Sequence, residues 1–522
     1  MSNYRRNAFI YATIVAIGGF VFGLDAALIS GTVNFLIQEF GLSDLQLGTV
    51  VSAPGLGVFV ALPLAGWASN ALGRKKTLQI IAALYLISAV SSAFAPSYWT
   101  LVAARFLGGL AFSSITLASM YIGEISPPKQ RGKLVSMTQI NIVIGLSSAY
   151  FINYLILQLT NSNAEWVSNL GLINNTWRWM LGSEIIFALL WFFLLLLIPK
   201  SPSWLVYKGR INEAKDALIN ICPAHEIDRH VEEMQTSLQA TTEDLSIASQ
   251  LKIIFSKPMR LIFIIAITIA IAQQSTGINA IMFYAPTVIE QIGFGTNAAF
   301  TQAIWMGLTS VVFTVLSLMI VDKLGRRPLI IWGMVWIIAS LGLCSYGFTK
   351  AKYSISETAI SEMTEIPDSK RLQSIAGNVY ESDLEFKKAI KETIGENDSR
   401  EHSSLLLQKA ADMPAGLILF GILSFIAAFH FSVGPIMWVL FSEIFPIALR
   451  GVAIPFFAIV TSLVSYLVQK FFPWQLSTLG GSNTFLFYAG TVAVGLLILY
   501  FTLPETKNLS IEEIQEKLTS RK

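Results

Sequence analysis

Residues 124–132 read Glu-Ile-Ser-Pro-Pro-Lys-Gln-Arg-Gly, and residues 443–451 read Glu-Ile-Phe-Pro-Ile-Ala-Leu-Arg-Gly. Each stretch follows a long apolar run, and in each an arginine stands seven positions after the glutamate. A second motif also occurs twice. Gly-Arg-Lys at 73–75 and Gly-Arg-Arg at 325–327 each follow another apolar run. Two motifs that recur in the same order predict two related halves.

The composition around these motifs is that of a membrane protein. Hydrophobic residues make up 54% of the 522 positions and charged residues only 13%, about half the share of a soluble protein. Twelve runs are long enough to cross roughly 30 Å of hydrocarbon as helices. The runs lie at about 8–30, 46–68, 78–95, 100–122, 134–157, 179–198, 261–284, 303–320, 329–348, 415–441, 452–472 and 484–503.

This pattern predicts an all-α membrane protein of twelve transmembrane helices in two pseudo-symmetric six-helix bundles. Such parallel repeats are typical of transporters that work by alternating access. A soluble enzyme is excluded, as are a disulfide scaffold, since only two cysteines occur, and a nucleic-acid binder, since the net charge is +3. The predicted partners are therefore a small solute and the lipid bilayer.

Charge placement predicts the orientation of the chain. With both termini in the cytoplasm, the inner segments hold 24 of the 36 Lys and Arg residues, and the short outer loops hold only Arg178 and Lys470. This asymmetry follows the positive-inside rule. We therefore expect a multi-pass protein of the cell membrane, either an inner or a plasma membrane, with both termini cytoplasmic.

The predicted domains follow from the runs. They are an N-terminal bundle at 1–198, a cytoplasmic linker with short helices at 199–257, a C-terminal bundle at 258–503 and a cytoplasmic tail at 504–522. The C-terminal bundle contains an extracytoplasmic insertion at 350–412 that is rich in both signs of charge. A solvated loop, with short helices around 382–394, is favoured there over a binding domain.

Two charged residues lie inside apolar runs. Asp25 comes about five residues before the outer end of the first run, and Arg105 about five after the outer start of the fourth, so both lie about 8 Å deep. An ionised residue inside a span is costly unless it is paired, and such a residue is by default expected to have a function. We predict that the two face each other as a proton switch; the alternative is a static ion pair.

Polar residues also cluster near the middle of the seventh run. Gln273, Gln274 and Asn279 offer uncharged donors and acceptors that suit polyhydroxylated ligands, although interhelical amide contacts are the alternative. In the tenth run Trp438 follows Gly-Pro, where a kink is expected, and its indole can stack on a sugar ring. His430, one turn earlier, is either a second titrating group or a packed histidine.

The repeated charged motifs predict a cytoplasmic latch, in which ion pairs lock the two halves together until the site opens inward. Ordinary surface pairs, worth about 0 to 1 kcal/mol each, are the alternative reading. The predicted latch residues are Arg74, Glu124, Arg131, Arg326, Glu443 and Arg450.

These motifs together resemble the sugar porter family of the major facilitator superfamily, and bacterial xylose/proton symporters are the most similar members. The resemblance covers essentially all twelve runs. It rests on Phe-Gly-Leu-Asp at 22–25, the motifs above, Gln-Gln-Ser-Thr-Gly-Ile-Asn at 273–279 and Pro-Glu-Thr-Lys at 504–507. It implies that Gln139 contacts sugar together with Gln273, Gln274, Asn279 and Trp438, and it supports Asp25 and Arg105 as the coupling pair.

Four departures from the family pattern leave the substrate and the latch open. Ser310 stands where an asparagine is usual, and Thr461 and Ser462 stand where an amide and a tryptophan are common. Both changes remove sugar contacts. Lys200 and Ser203 replace a glutamate and an arginine of a sequence motif that is usual in the family, and Asn70 replaces a common aspartate. The last two changes weaken the expected latch.

The predicted function is import of a monosaccharide or polyol (a pentose, a hexose or inositol) by proton symport. A facilitative uniporter is the nearest alternative, and a non-transporting sugar sensor is the alternative from another class. No metal-ligand or nucleophile constellation is visible in the sequence, so we expect no enzyme activity, no metal and no cofactor. We expect a functional monomer.

Overall fold

The structure is a computed structural model that describes residues 3–127, 130–162, 164–240, 247–363, 366, 369–507, 509 and 513–514. Within this part the chain forms twelve helical spans that are long and apolar enough to cross a bilayer, which confirms the predicted number. Each span overlaps one predicted run. We number the spans 1 to 12 in chain order.

Eight spans are single helices. They are Asn3–Leu28 (span 1), Asp44–Leu72 (span 2), Arg74–Ala93 (span 3), Arg131–Thr160 (span 5), Thr296–Leu324 (span 8), Arg326–Thr349 (span 9), Ile447–Thr478 (span 11) and Gly480–Thr502 (span 12).

Four spans are each built from two consecutive helices. They are Tyr98–Ala111 with Ser114–Ile125 (span 4), Thr176–Gly182 with Glu184–Leu194 (span 6), Arg260–Gln274 with Ile278–Phe283 (span 7) and Ala415–Phe431 with Val433–Ile444 (span 10).

Two of the interruptions have clear local causes. In span 7 the break falls at Gly277, whose φ of +81° suits a residue without a Cβ. In span 10 the first helix ends at Phe431, four residues before Pro435. A proline ring clashes with the carbonyl of the residue four positions earlier and removes one helical hydrogen bond. The predicted kink in span 10 is therefore present.

Short helices connect the spans on both faces. On the face that carries the termini they are Pro202–Tyr207, Ile211–Ile219, Ala224–Glu226, Ile227–Ala240, Ile247–Ile254 and Lys257–Met259. On the opposite face they are Ile29–Gly31, Val33–Phe40, Glu165–Asn169 and Ala285–Glu290. We call the first face the linker side and the second the insertion side. Asn7 Nδ2 donates to the Asn220 carbonyl (3.0 Å), which ties the N-terminus to the linker.

The insertion folds as a small domain. Its elements are β1 (Lys352–Tyr353), the helices Glu357–Glu362, Ser369–Ile375, Asp383–Ile394, Glu396–Glu401 and Ser403–Ala410, and β2 (Ala411–Asp412), which pairs antiparallel with β1. Its apolar residues form a core of their own around Phe386, Ile390 and Leu406, each no more than 2% exposed. The short helix expected around 382–394 is present as Asp383–Ile394. The expectation of a solvated loop is wrong, because these apolar side chains are spaced to bury one face of each helix.

The two halves meet on the insertion side. Asn34 Nδ2, beyond span 1, donates to Glu290 Oε2, beyond span 7 (2.8 Å), and the Tyr150 hydroxyl in span 5 donates to the Met282 carbonyl in span 7 (2.6 Å). At Gly48 in span 2 an added Cβ would lie 1.9 Å from the Lys470 carbonyl oxygen in span 11. Such close backbone approach requires glycine.

Candidate substrate cavity and ion-pair site

A cavity of about 480 Å³ lies between the two halves. Its lining extends towards the linker side as far as Ser136 in span 5, Leu318 in span 8 and Ile454 in span 11, each within about two turns of the linker-side end of its helix. Because the halves contact each other on the insertion side, the structure represents a conformation that opens towards the linker side.

Four of the five predicted substrate-binding residues line this cavity. Gln139 in span 5, Gln274 and Asn279 in span 7 and Trp438 in span 10 are brought together around it. The break at Gly277 lets the two amides of span 7 converge, and Asn279 Nδ2 donates to Gln274 Oε1 (2.8 Å). On an unbroken helix these two side chains would point about 140° apart.

The fifth predicted residue, Gln273, points elsewhere. Its side chain is 3% exposed and does not belong to the cavity lining. Its amide donates to the Val433 carbonyl (3.3 Å) and the Gly434 carbonyl (3.1 Å) in span 10. The structure therefore gives Gln273 the role of an interhelical contact, the alternative that the sequence left open, because neighbouring helical residues point about 100° apart.

Asp25 and Arg105 are brought together as predicted. Arg105 Nη1 forms an ion pair with Asp25 Oδ1 and also donates to the Asp25 carbonyl (3.3 Å). Both side chains are 2% exposed. Arg105 also lines the central cavity. One guanidinium therefore contacts both the buried carboxylate of span 1 and the space where a solute would bind.

A third ionisable residue, Glu184 in span 6, was missed by the sequence reasoning. Its carboxyl is 3% exposed and lies close to both Asp25 and Arg105. Two carboxylates that lie close together repel each other when both are ionised. The signal was visible: Glu184 is an acid inside a predicted apolar run, the same feature that identified Asp25.

Two clusters of charged residues occupy equivalent places on the linker side. In the first half, Arg74 Nη2 pairs with Glu124 Oε1 (2.9 Å), and the Ser201 hydroxyl donates to Glu124 Oε2 (2.5 Å). Arg74 lies at the start of span 3, Glu124 near the end of span 4 and Ser201 just after span 6. This cluster therefore joins segments of one half and the start of the linker.

The second half repeats this arrangement. Arg326 Nη2 pairs with Glu443 Oε1 (2.8 Å), and the Thr506 hydroxyl donates to Glu443 Oε2 (2.6 Å). Arg450 Nε donates to the Phe445 carbonyl (3.0 Å), and the side chain of Arg131 lies outside the described part of the chain. These ion pairs join spans of the same half, so a latch between the halves stays a prediction for the opposite conformation.

The remaining residues singled out from the sequence fall into two groups. Thr461 and Ser462 line the cavity, so the positions remain at the site although their side chains are shorter than expected. Ser310 is fully buried and donates to the Met306 carbonyl (3.0 Å). His430 is packed, with Nδ1 3.2 Å from the Thr314 hydroxyl. Within the described residues no cluster of His, Cys, Asp and Glu could hold a metal ion.

Twelve spans in two equivalent halves, with a cavity between them that carries several polar side chains and opens to one face, define a membrane transport protein. Comparison with known families agrees with this class. The model of the family "Sugar (and other) transporter" matches residues 11–363 and 402–518. The chain belongs to this family of transporters.

Individual relatives are similar over nearly the whole chain. The arabinose-proton symporter of Bacillus subtilis is 31% identical, covering 96% of this chain and 92% of its own, and inositol transporter 4 of Arabidopsis thaliana is 30% identical, covering 97% and 91%. The solved inward-open conformation of the xylose transporter XylE from E. coli is 28% identical with a TM-score of 0.71, covering 98% of this chain and 99% of that one.

Proposed function

We propose that the protein is a proton-coupled symporter that imports a monosaccharide or polyol by alternating access. One observation supports this most strongly: Arg105 contacts the buried Asp25 carboxylate and also lines the central cavity. A change of protonation at Asp25 would break or restore its ion pair with Arg105 and so change the position of a cationic group that faces the solute. The names of the relatives, which include an arabinose-proton symporter and an inositol transporter, support the same class of solute.

The coupling site would contain one exchangeable proton. Asp25, Glu184 and Arg105 together carry a net charge of −1 when both acids are ionised, and burial in a span disfavours that state. Binding one proton at Asp25 would neutralise the cluster and remove the ion pair with Arg105 that joins spans 1 and 4. Proton occupancy would therefore bias the outward-open and inward-open conformations differently.

The few polar side chains on the mainly apolar wall of the cavity suit an uncharged ligand with several hydroxyl groups. Gln139, Gln274 and Asn279 supply amide donors and acceptors, and Trp438, which is 41% exposed, offers an indole for stacking. In this account the linker side is cytoplasmic by the positive-inside rule, in a cell membrane, and one chain holds both the cavity and the coupling site.

The two clusters on the linker side would act as latch elements in the outward-open conformation. Arg74, Glu124, Arg326 and Glu443 hold the inner ends of the spans in a fixed arrangement. Arg131 and Arg450 follow the two glutamates by seven residues in each half and complete the proposed set.

Reconstitution into vesicles tests the proposal. Labelled xylose, glucose, galactose, arabinose, fructose and inositol are offered one at a time in counterflow, and the pH of the outer medium is followed in deenergised vesicles. A symporter gives counterflow of at least one of these solutes together with alkalinisation of the medium. Counterflow without a pH change would indicate a uniporter, and binding without counterflow would indicate a sensor.

A further inference from the structure

The insertion is fixed to the second half of the protein by polar contacts. Asp383 Oδ2 accepts from the Gly481 backbone N–H at the start of span 12 (3.3 Å), where the first N–H groups of a helix have no partner within it. Lys387, one turn further along, donates from Nζ to Gln291 Oε1 beyond span 7 (2.9 Å). Because spans 9 and 10 flank the insertion and these contacts join it to spans 7 and 12, the insertion belongs structurally to the second half.

One helix of the insertion also reaches the first half. The helix Glu396–Glu401 packs against the helix Val33–Phe40, which follows span 1. Arg400 of this helix places Nε 3.8 Å from Asp44 Oδ1 at the start of span 2 and Nη1 3.5 Å from the Leu42 carbonyl oxygen. The insertion therefore crosses the boundary between the two halves.

Asp44 joins three parts of the molecule. The Ser477 hydroxyl at the end of span 11 donates to Asp44 Oδ2 (2.6 Å), while Asp44 Oδ1 faces Arg400. The side chains of Asp44 and Arg400 are 29% and 26% exposed, so the ion pair is partly shielded from water. One carboxylate of the first half thus contacts both span 11 and the insertion.

The insertion also covers a cavity of about 730 Å³ that lies between the halves on this side. The cavity wall includes Asn34 and Asp44 of the first half, Ser477 of the second half, and Lys387 and Arg400 of the insertion. Opening of the insertion side must move Asn34 and Asp44 away from the second half. Because the second half carries Arg400, this movement breaks the contact between Arg400 and Asp44.

We propose that the insertion is a clasp that stabilises the conformation closed on the insertion side, through the contact of Arg400 with Asp44. The contact exists only while the halves meet at this face, so it favours that conformation over one that is open there. It thereby opposes the step in which the empty transporter turns its site back to the insertion side. This inference rests on the alternating access of the proposed function and not on the identity of the solute.

Thiol labelling measures the conformational equilibrium. The reporter is Ser30→Cys, at a position that is 2% exposed while the insertion side is closed. A membrane-impermeant thiol reagent is added from the insertion side, and protein without the introduced cysteine gives the background rate. In Arg400→Gln the labelling rate should rise about two- to fivefold, the effect of losing a partly exposed ion pair.

A second reporter distinguishes a change of conformation from a loosened insertion. Ser462→Cys lies in the central cavity and is labelled from the linker side. Since one conformation gains the population that the other loses, its labelling rate should fall in Arg400→Gln. Local loosening of the insertion would raise labelling of Ser30→Cys alone.

Further variants assign the effect to the ion pair. Asp44→Asn should raise labelling of Ser30→Cys to a similar extent, and the double variant Arg400→Gln/Asp44→Asn should add little to either single change. Lys409→Gln is the matched control, because it also removes one positive charge from the insertion. Its ion pair with Glu362 (2.8 Å) joins two parts of the insertion itself. Lys409→Gln should leave both labelling rates unchanged.

Three results would overturn the inference. Labelling of Ser30→Cys could be equal with and without Arg400→Gln, it could rise equally in Lys409→Gln, or it could rise without a fall at Ser462→Cys. Each of these leaves the proposed function intact, because counterflow of the solute is measured separately. If Ser30→Cys were labelled in no variant and no solute gave counterflow, the proposed function would fail and this inference with it.

Discussion

Among single residues, the most informative are three ionisable groups that are buried between the membrane-spanning helices. Asp25, Arg105 and Glu184 come from spans 1, 4 and 6, and each is no more than 3% exposed. Removing one partner of a buried charge pair typically costs about 3–5 kcal/mol, because the other charge is left uncompensated. Two acids beside one base leave one negative charge without a partner, which favours binding of a proton at the cluster.

Neutralising Glu184 should change the pH dependence of transport. In Glu184→Gln a carboxylate close to Asp25 is replaced by a neutral amide, which removes a repulsion between like charges. We expect the pH of half-maximal active uptake to fall. The measurement is initial uptake as a function of outer pH.

A matched control for this prediction is Glu165→Gln, which changes an exposed acid on the insertion side. It should leave the pH profile unchanged. An unchanged profile in Glu184→Gln as well would show that Glu184 takes no part in proton binding.

At the scale of elements, the site depends on interruptions within helices. Span 7 brings Gln274 and Asn279 together only because the chain adopts φ +81° at Gly277. The ring of Tyr488 in span 12 packs directly against this glycine, and an added Cβ would lie 2.7 Å from Tyr488 Cδ2. The break is therefore held by its neighbours as well as by its own conformational freedom.

Gly277→Ala should disrupt the cavity. The left-handed conformation costs an alanine roughly 1–2 kcal/mol, and the contact with Tyr488 adds to this. We expect at least a tenfold loss of counterflow. Gly490→Ala is the control, since that helical glycine of span 12 has open space where a Cβ would be. Equal counterflow in both variants would contradict the role assigned to the break.

Much of the element-level organisation could be predicted from the sequence. Long apolar runs predict all twelve spans, and the short helices expected in the linker are present, Ile211–Ile219 among them. The direction of Gln273 could not be predicted, because its neighbour Gln274 belongs to the same polar cluster and only the packing of span 10 distinguishes them. The insertion was misjudged because its many charges obscured apolar positions, such as Phe386, Ile390 and Ile394, that share one helical face.

At the scale of the whole molecule, one conformation is held by contacts across the insertion side. Glu290 is central to them. It is 1% exposed, accepts from Asn34 of the other half (2.8 Å) and lies close to Ser404 of the insertion. Burial raises the pKa of Glu290 above its ordinary value of 4.5, and the hydrogen bonds from Asn34, Thr296 and Ser404 offset this only in part.

This raised pKa makes the closure of the insertion side dependent on pH. The closed conformation holds the Glu290 proton more tightly than one in which the carboxyl reaches water. Glu290 therefore stabilises the closed conformation fully below pH 4.5, and this stabilisation is lost as the pH rises through its raised pKa. Opening of the insertion side should become easier over that range.

The labelling rate of a cysteine introduced at Ser30, which is buried just beyond span 1 on the insertion side, reports this opening. A membrane-impermeant thiol reagent is added from that side at a series of pH values. The labelling rate in the wild-type background is divided by the rate in Glu290→Gln at each pH, which removes the intrinsic pH dependence of the thiol. The ratio should rise with pH. A constant ratio would show that Glu290 does not control closure.

In the proposed mechanism one proton, bound at Asp25, drives accumulation of the solute. One proton moved through 100 mV supplies about 2.3 kcal/mol, enough for nearly fiftyfold accumulation. Accumulation in energised vesicles and counterflow are compared for wild-type protein and Asp25→Asn. Asp25→Asn should exchange labelled solute without concentrating it. Accumulation by Asp25→Asn at the wild-type level would show that Asp25 does not couple the proton to the solute.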